Sequence, residues 1–321
     1  MSWLLYAVAA PPVLAFTLYA LSKMLPRRYA QLAQFAAFFV ASMVLMCYSA
    51  LYGVFASIVL RAVGYGGLSQ WTVGKVFKWS MWWCTGVFFE VIESGRIEGG
   101  RRGGEDALKT RPAVFVGNHQ TELDVLLLGT IFPQYCSVTA KSSLKWTPFL
   151  GWFMTLSKSV FIDRANRATA RAAFDGAAKV MQNERQSVFI FPEGTRSYAS
   201  TPELLPFKKG AFHLAIQAQV PIVPIVAANY NHVLNVKEKR YTPGVISVSV
   251  LPAIPTKGLT AADADALTTK TRDAMMDELI RLSHLNGEGN GMPLPRTSGA
   301  ERTPDELRKR TVGGSTTLKS S

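Results

Sequence analysis

Residues 113–128 read Ala113-Val114-Phe115-Val116-Gly117-Asn118-His119-Gln120-Thr121-Glu122-Leu123-Asp124-Val125-Leu126-Leu127-Leu128: an apolar run, a polar turn and a second apolar run. The first run, Ala113 to Val116, is short and continuous and reads as a strand; the turn after it sets a histidine at the strand's end, open to a cleft. The same texture recurs around it. Ser137 to Ala140, Val160 to Ile162, Val188 to Phe191, Ile222 to Val226 and Val245 to Leu251 are further candidate strands, with helical patterns between them. In Arg167 to Glu184, Ala170, Ala173, Phe174, Ala177 and Met181 form one apolar stripe opposite Arg171, Asp175 and Lys179. Alternating strands and helices predict a mixed α/β sheet flanked by helices over residues 96–285. Val220-Pro221-Ile222-Val223-Pro224-Ile225 is too rich in proline for an ordinary central strand and is expected at an edge or a bend.

The chain differs on either side of this region. Before Glu90 it contains no Asp or Glu, and its only charges are Lys23, Arg27, Arg28, Arg61, Lys75 and Lys78. Ser2 to Ser22 is uncharged and as a helix would reach about 31 Å, matching a hydrocarbon core of about 30 Å. Pro11 and Pro12 would kink it; no basic residue precedes the run, which argues against a cleaved signal peptide. Tyr29 to Leu60, also uncharged, would reach about 48 Å and must either tilt past the bilayer or break near Gly53. KVFKWSMWWCTGVFFEVIE places Trp79, Trp82, Trp83, Phe88 and Phe89 beside Lys75 and Lys78, the composition of an interfacial helix or of a core helix of the next domain. Residues 1–95 are thus expected to be transmembrane and interfacial helices. Residues 286–321, rich in Gly, Pro, Ser and Thr, are expected to form a disordered tail.

Composition limits the chemistry. With 48% hydrophobic and 18% charged residues the chain is no disordered polymer, and a net charge of +13 suits an anionic partner. The basic residues do not stripe one helix with aromatic platforms, which sets nucleic acid aside. Cys47, Cys84 and Cys136 are odd in number and widely spaced, so neither a disulfide framework nor a cysteine zinc site is expected.

Four clusters could carry chemistry. In Asn118 to Asp124, His119 is a candidate general base, and Asp124 could bond its other ring nitrogen, fix the tautomer and stabilise the imidazolium. Thr121-x-x-Asp124 is equally a capping box in which Asp124 only satisfies helical amides. A metal held by His119, Glu122 and Asp124 has no recognised ligand spacing, and no metal is expected. In Phe191-Pro192-Glu193-Gly194-Thr195-Arg196-Ser197, Pro192 and Gly194 force a turn that presents Glu193, Thr195 and Arg196; Arg196 can grip a phosphate monoester, or the segment is an ordinary turn. Val160-Phe161-Ile162-Asp163-Arg164 ends in a surface ion pair or in a second guanidinium for an anion. Lys141, Lys208 and Lys209 add positive charge nearby in sequence.

In this order, NHQTELD, VFIDR, FPEGTRS and VPIVPI resemble the four motif blocks of the glycerolipid acyltransferases, and particularly of the 1-acyl-sn-glycerol-3-phosphate (lysophosphatidic acid) acyltransferases. The resemblance spans roughly Gly95 to Ala253, including KSSLKWTPFLGWF, with no departure at the charged motif positions. It implies that His119 deprotonates a glycerol hydroxyl, that Asp124 orients it, and that Arg164 and Arg196, with Lys141, hold the substrate phosphate. Glu193, Gly194 and Thr195 would shape that pocket. It also implies acyl-CoA as co-substrate with no cofactor, lysophosphatidic acid as acceptor, phosphatidic acid as product, and a site at the bilayer surface. Direct transfer is expected, since no Cys or Ser stands in a nucleophile setting. The catalytic part is expected to face the cytosol from the endoplasmic reticulum membrane. Glycerol 3-phosphate or another lysophospholipid is the alternative acceptor, and a non-catalytic binder of anionic lipid is the alternative class.

Overall fold

Val114, Phe115 and Val116 alternate between two faces of a sheet, and all three are fully buried because helices cover both faces. The computed structural model describes residues 2–94, 97–98, 101–163 and 165–285. One sheet is built from β1 (Val87–Ile92), β2 (Val114–Gly117), β3 (Cys136–Lys141), β4 (Val160–Ile162), β5 (Ser187–Ile190), β6 (Ile222–Ala227) and β7 (Gly244–Val250), in spatial order β1-β7-β6-β2-β5-β3-β4. Strands β6, β2, β5, β3 and β4 run parallel; β7 is antiparallel to β6, and β1 parallel to β7. The mixed sheet expected from the sequence is therefore present, and its five parallel strands all end at one edge.

The eight helices among the described residues are α1 (Ser2–Ser22), α2 (Arg27–Ala62), α3 (Ser69–Thr85), α4 (Asp124–Ile131), α5 (Leu150–Leu156), α6 (Arg167–Glu184), α7 (Gly210–Ala218) and α8 (Ala264–Leu285). Val114, Val116, Val188, Ile190, Ile222 and Val226 face α6, α7 and α8 through Met181, Phe212 and Met275. Phe115, Phe189, Val223 and Ile225 face α2, α3 and α4 through Phe38, Met81 and Leu127. Each such fully buried aliphatic or aromatic side chain contributes about 1.5–3 kcal/mol. Helix α6 follows the predicted stripe: Ala177 and Met181 are buried, and the Asn166 side chain accepts from Ala168 N and Thr169 N at its start.

Two expectations fail. The aromatic segment does not stay helical to Glu93: α3 stops at Gly86, whose backbone is left-handed at φ +71°, and Val87–Ile92 becomes edge strand β1, so the sheet begins before the expected boundary at 95/96. Lys75, in a helix whose composition suited the interface or the core, donates to the carbonyls of Gly129 and Thr130 at the end of α4. The proline-rich strand β6 is interior, between β7 and β2, and not at an edge. Pro224 is tolerated because its carbonyl, accepting from Leu251 N, faces β7 beyond the last ladder pair, Val250 with Ile225. Its missing N–H falls on that same side, past the end of the ladder, so a single terminal bond is forgone.

Helix α1 runs through Pro11 and Pro12, and α2 is unbroken at Gly53. There α2 meets α5: a Cβ on Gly53 would stand 2.5 Å from the Phe153 ring, so the glycine admits a neighbour and not a break. Helix α2, about 54 Å long, is long and apolar enough to cross a bilayer. Its Ala33, Phe38, Ala50 and Gly53 are buried against the protein, with Phe38 stacked on Tyr241 at 4.2 Å, while Met43, Tyr48, Leu51, Phe55 and Ile58 are exposed. The tail expected over 286–321 lies outside the described residues.

Candidate active site

Strand β2 ends where Asn118 copies a strand residue. Its Nδ2 donates to Ala227 O and its Oδ1 accepts from Ala227 N, both at 2.9 Å, and Gln120 Nε2 donates to Ala227 O and Ala228 O. The turn is thereby pinned on the β6 side. On the β5 side, Ser197 N donates to His119 O and Tyr198 N to Gln120 O, so the turns after β2 and β5 are laced together. Both leave the carboxyl edge of the sheet, where open α/β folds place their ligands.

Within this frame His119 Nδ1 lies 2.6 Å from Asp124 Oδ2, the imidazole stacks on Phe191 at 4.2 Å, and the side chain is 16% exposed. Asp124 is buried. Oδ2 also accepts from Gln120 N at 2.7 Å and Thr121 N at 3.2 Å, and Oδ1 accepts from Tyr230 OH at 2.6 Å. The capping box is only half made: Thr121 N donates to Asp124 Oδ2, but Thr121 Oγ1 accepts from Leu123 N in place of Asp124 N, and the carboxylate turns back onto the preceding loop toward His119. A carboxylate so bonded orients Nδ1–H toward itself and leaves Nε2 as the nitrogen available for a substrate proton.

The second cluster divides. Glu193 is buried, with Oε1 accepting from His119 N at 2.7 Å and Oε2 from Leu205 N at 3.0 Å. It braces the two turns and its oxygens are committed to backbone, so it shapes the site from beneath. Burial pushes its carboxyl up to about 7, against the two amides, which favour the charged form. Gly194 has φ +71°, and a Cβ there would meet the Lys208 side chain at 2.9 Å; Lys208 thus crosses the turn and brings its amino group to it. Thr195 is exposed at the tip. Arg196 Nη1 donates to Glu122 Oε1 at 3.1 Å, and Tyr198 OH donates to the same oxygen at 2.7 Å.

Lys141 is exposed at the end of β3, in register with Ile162 of β4. It stands on the same sheet edge as His119, but β5 lies between β3 and β2. Arg164 lies outside the described residues. Lys209 pairs with Asp265. Tyr230 and Tyr198 escape the sequence reading as site residues, and Glu122 entered it only as a metal ligand. Tyr230 is 106 positions from Asp124, and its only signal is the polar Asn229-Tyr230-Asn231 following a strand.

Residues 101–228 match the Acyltransferase family model. The chain is 39% identical over 233 residues to the 1-acyl-sn-glycerol-3-phosphate acyltransferase of Saccharomyces cerevisiae, covering 73% of this chain and 73% of that protein. It is 43% identical over 236 residues to an uncharacterized acyltransferase of Schizosaccharomyces pombe, covering 73% of this chain and 80% of the relative. Among solved structures it is similar to PlsC, the 1-acyl-sn-glycerophosphate acyltransferase of Thermotoga maritima, with a TM-score of 0.59 and 22% identity over 81% of this chain and 98% of that one.

Proposed function

Since this chain belongs to the 1-acyl-sn-glycerol-3-phosphate acyltransferase family, we propose that it acylates the sn-2 hydroxyl of lysophosphatidic acid from acyl-CoA, giving phosphatidic acid. The observation that carries this reading is the His119–Asp124 contact of 2.6 Å at the carboxyl edge of the sheet, beside Arg196. His119 Nε2 takes the hydroxyl proton as the oxygen attacks the thioester carbonyl. The tetrahedral intermediate then expels the CoA sulfur, which receives that proton from the imidazolium. Asp124 keeps the ring in one tautomer and offsets its transient positive charge. The thioester is already activated, so the protein's task is to make a weakly acidic alcohol nucleophilic and hold it in line. Arg196 receives the acceptor's phosphate, Lys208 and Lys141 add positive charge along the same edge, and Arg164 joins them as the resemblance implies. Transfer is direct, without an acyl-enzyme.

Acceptor and product are lipids while acyl-CoA is a soluble anion, so the site works at a membrane surface. α2 and the exposed Trp79, Trp82 and Trp83 of α3 give it the apolar side such a position needs. The catalytic part faces the cytosol, where acyl-CoA is made, on the endoplasmic reticulum. Purified protein offered lysophosphatidic acid, glycerol 3-phosphate and lysophosphatidylcholine in parallel, each with labelled oleoyl-CoA, tests the acceptor; label in phosphatidic acid is expected, and label chiefly in another product overturns the assignment. Protease added to sealed microsomes tests the orientation, and full protection of the catalytic part would refute it.

A further inference from the structure

Glu122 sits in the same turn as the histidine, and the chemistry above makes no use of it. Its Oε1 accepts from Arg196 Nη1 at 3.1 Å and from Tyr198 OH at 2.7 Å, and Nη1 itself lies 3.5 Å from that hydroxyl. The three side chains converge because the Ser197 and Tyr198 amides bond to the His119 and Gln120 carbonyls, laying the Arg196–Tyr198 segment alongside the turn. On charge alone the arrangement is unfavourable, since a carboxylate against the guanidinium cancels part of the attraction an anionic ligand would feel. Nor is fold stability its main product: Arg196 and Glu122 are 37% and 36% exposed, and ion pairs that open to water are worth little.

What the contact does supply is order. A free arginine carries substantial rotamer entropy, which a ligand must overcome when it binds. Glu122 and Tyr198 meet it at a single nitrogen, Nη1, while Arg196 Nε and Glu122 Oε2 are buried without hydrogen-bond partners. The carboxylate and guanidinium are thus not joined as a two-pronged fork, and Nη2 is not drawn into the cluster. An arginine held by one corner keeps its outer edge for something else.

We infer that Glu122 and Tyr198 are positioning residues that fix Arg196 in the orientation in which it takes the acceptor's phosphate monoester, an inference that rests on the acceptor assignment above. The test is steady-state kinetics with lysophosphatidic acid and acyl-CoA varied separately, on wild type, E122A, E122Q and Y198F, with thermal midpoints as a check on folding. E122A should raise the acceptor KM about tenfold, because part of the ordering of Arg196 is lost, while the acyl-CoA KM moves less than about twofold. E122Q keeps the accepting oxygen without the charge and should recover most of that loss. Y198F should raise the acceptor KM by about threefold. If E122A does not fold, Y198F carries the same test.

An acceptor KM unchanged in E122A and Y198F, or both KM values and kcat shifted together, overturns the inference, as does an E122Q no better than E122A. These outcomes leave the acceptor assignment standing. Wild-type protein that does not acylate lysophosphatidic acid overturns that assignment, and the inference with it.

Discussion

At the scale of single residues, the site is a set of side chains whose polar atoms are nearly all committed, which makes the uncommitted ones informative. His119 has Nδ1 assigned to Asp124, which makes its ring the direct test of the proposed base. H119A should lower kcat by about 10²- to 10⁴-fold while lipid binding persists; a variant that turns over normally would remove His119 from the role of general base. Tyr230 contributes one of the four bonds to Asp124 and is buried. Y230F should lower kcat with the acceptor KM unchanged, because it frees the carboxylate that aims the imidazole; a KM effect alone would count against that role. Glu193 supplies a pH signature. Its carboxyl is raised from 4.5 to about 7, so between those values the native state holds more proton than the unfolded chain, and its contribution to stability falls as pH rises through that window and is level above it. The stability of wild type minus that of E193Q should therefore shrink from about pH 4.5 to about pH 7, by at most about 3 kcal/mol. Denaturation in detergent across that range reads it, and a constant gap would mean that Glu193 is not protonated in the fold.

At the scale of elements, the decisive contact is between α3 and α4, because α4 begins with Asp124, the partner of His119. The helices cross where Gly74 meets Gly129: a Cβ on Gly129 would stand 2.6 Å from Gly74 O and 3.1 Å from Lys78 Cβ. G129A should cost about 1–3 kcal/mol as overpacking and lower kcat by shifting Asp124 from His119. A wild-type thermal midpoint in G129A would show that the helices separate without cost. This crossing was not legible in the sequence. The six strands read from apolar runs are all present, since a run covered on both faces is apolar whatever its partner. Strand β1 was hidden because it continues an aromatic stretch that composition alone assigns to a helix, and only Gly86 marks the change. The interior place of β6 was hidden because proline forbids a ladder bond on one side only, and which side is owed one depends on where β7 ends.

At the scale of the whole molecule, a chain with a net charge of +13 carries a long apolar helix, and the two predict different modes of attachment. If α2 holds the protein to a bilayer, membranes should retain it through a wash at about 1 M salt, where the Debye length is about 3 Å, and release it only to detergent. Release by salt alone would show that charge is the tether. The amino-acid sequence by itself determined the α/β class, the apolar N-terminal helices, the candidate base with its carboxylate partner and the turn bearing Arg196, because these depend on local patterns of apolar and polar residues. Only the tertiary structure decided that Asp124 serves the histidine, that Glu193 is a brace, and that Glu122, Tyr198 and Tyr230 belong to the site. The places of Glu193, Glu122, Tyr198 and Tyr230 are set by atoms brought within hydrogen-bonding distance across some 70 to 110 positions, and no local pattern carries such distances; the pairing of Asp124 with His119 spans five positions, but Tyr230 and the laced turns hold it.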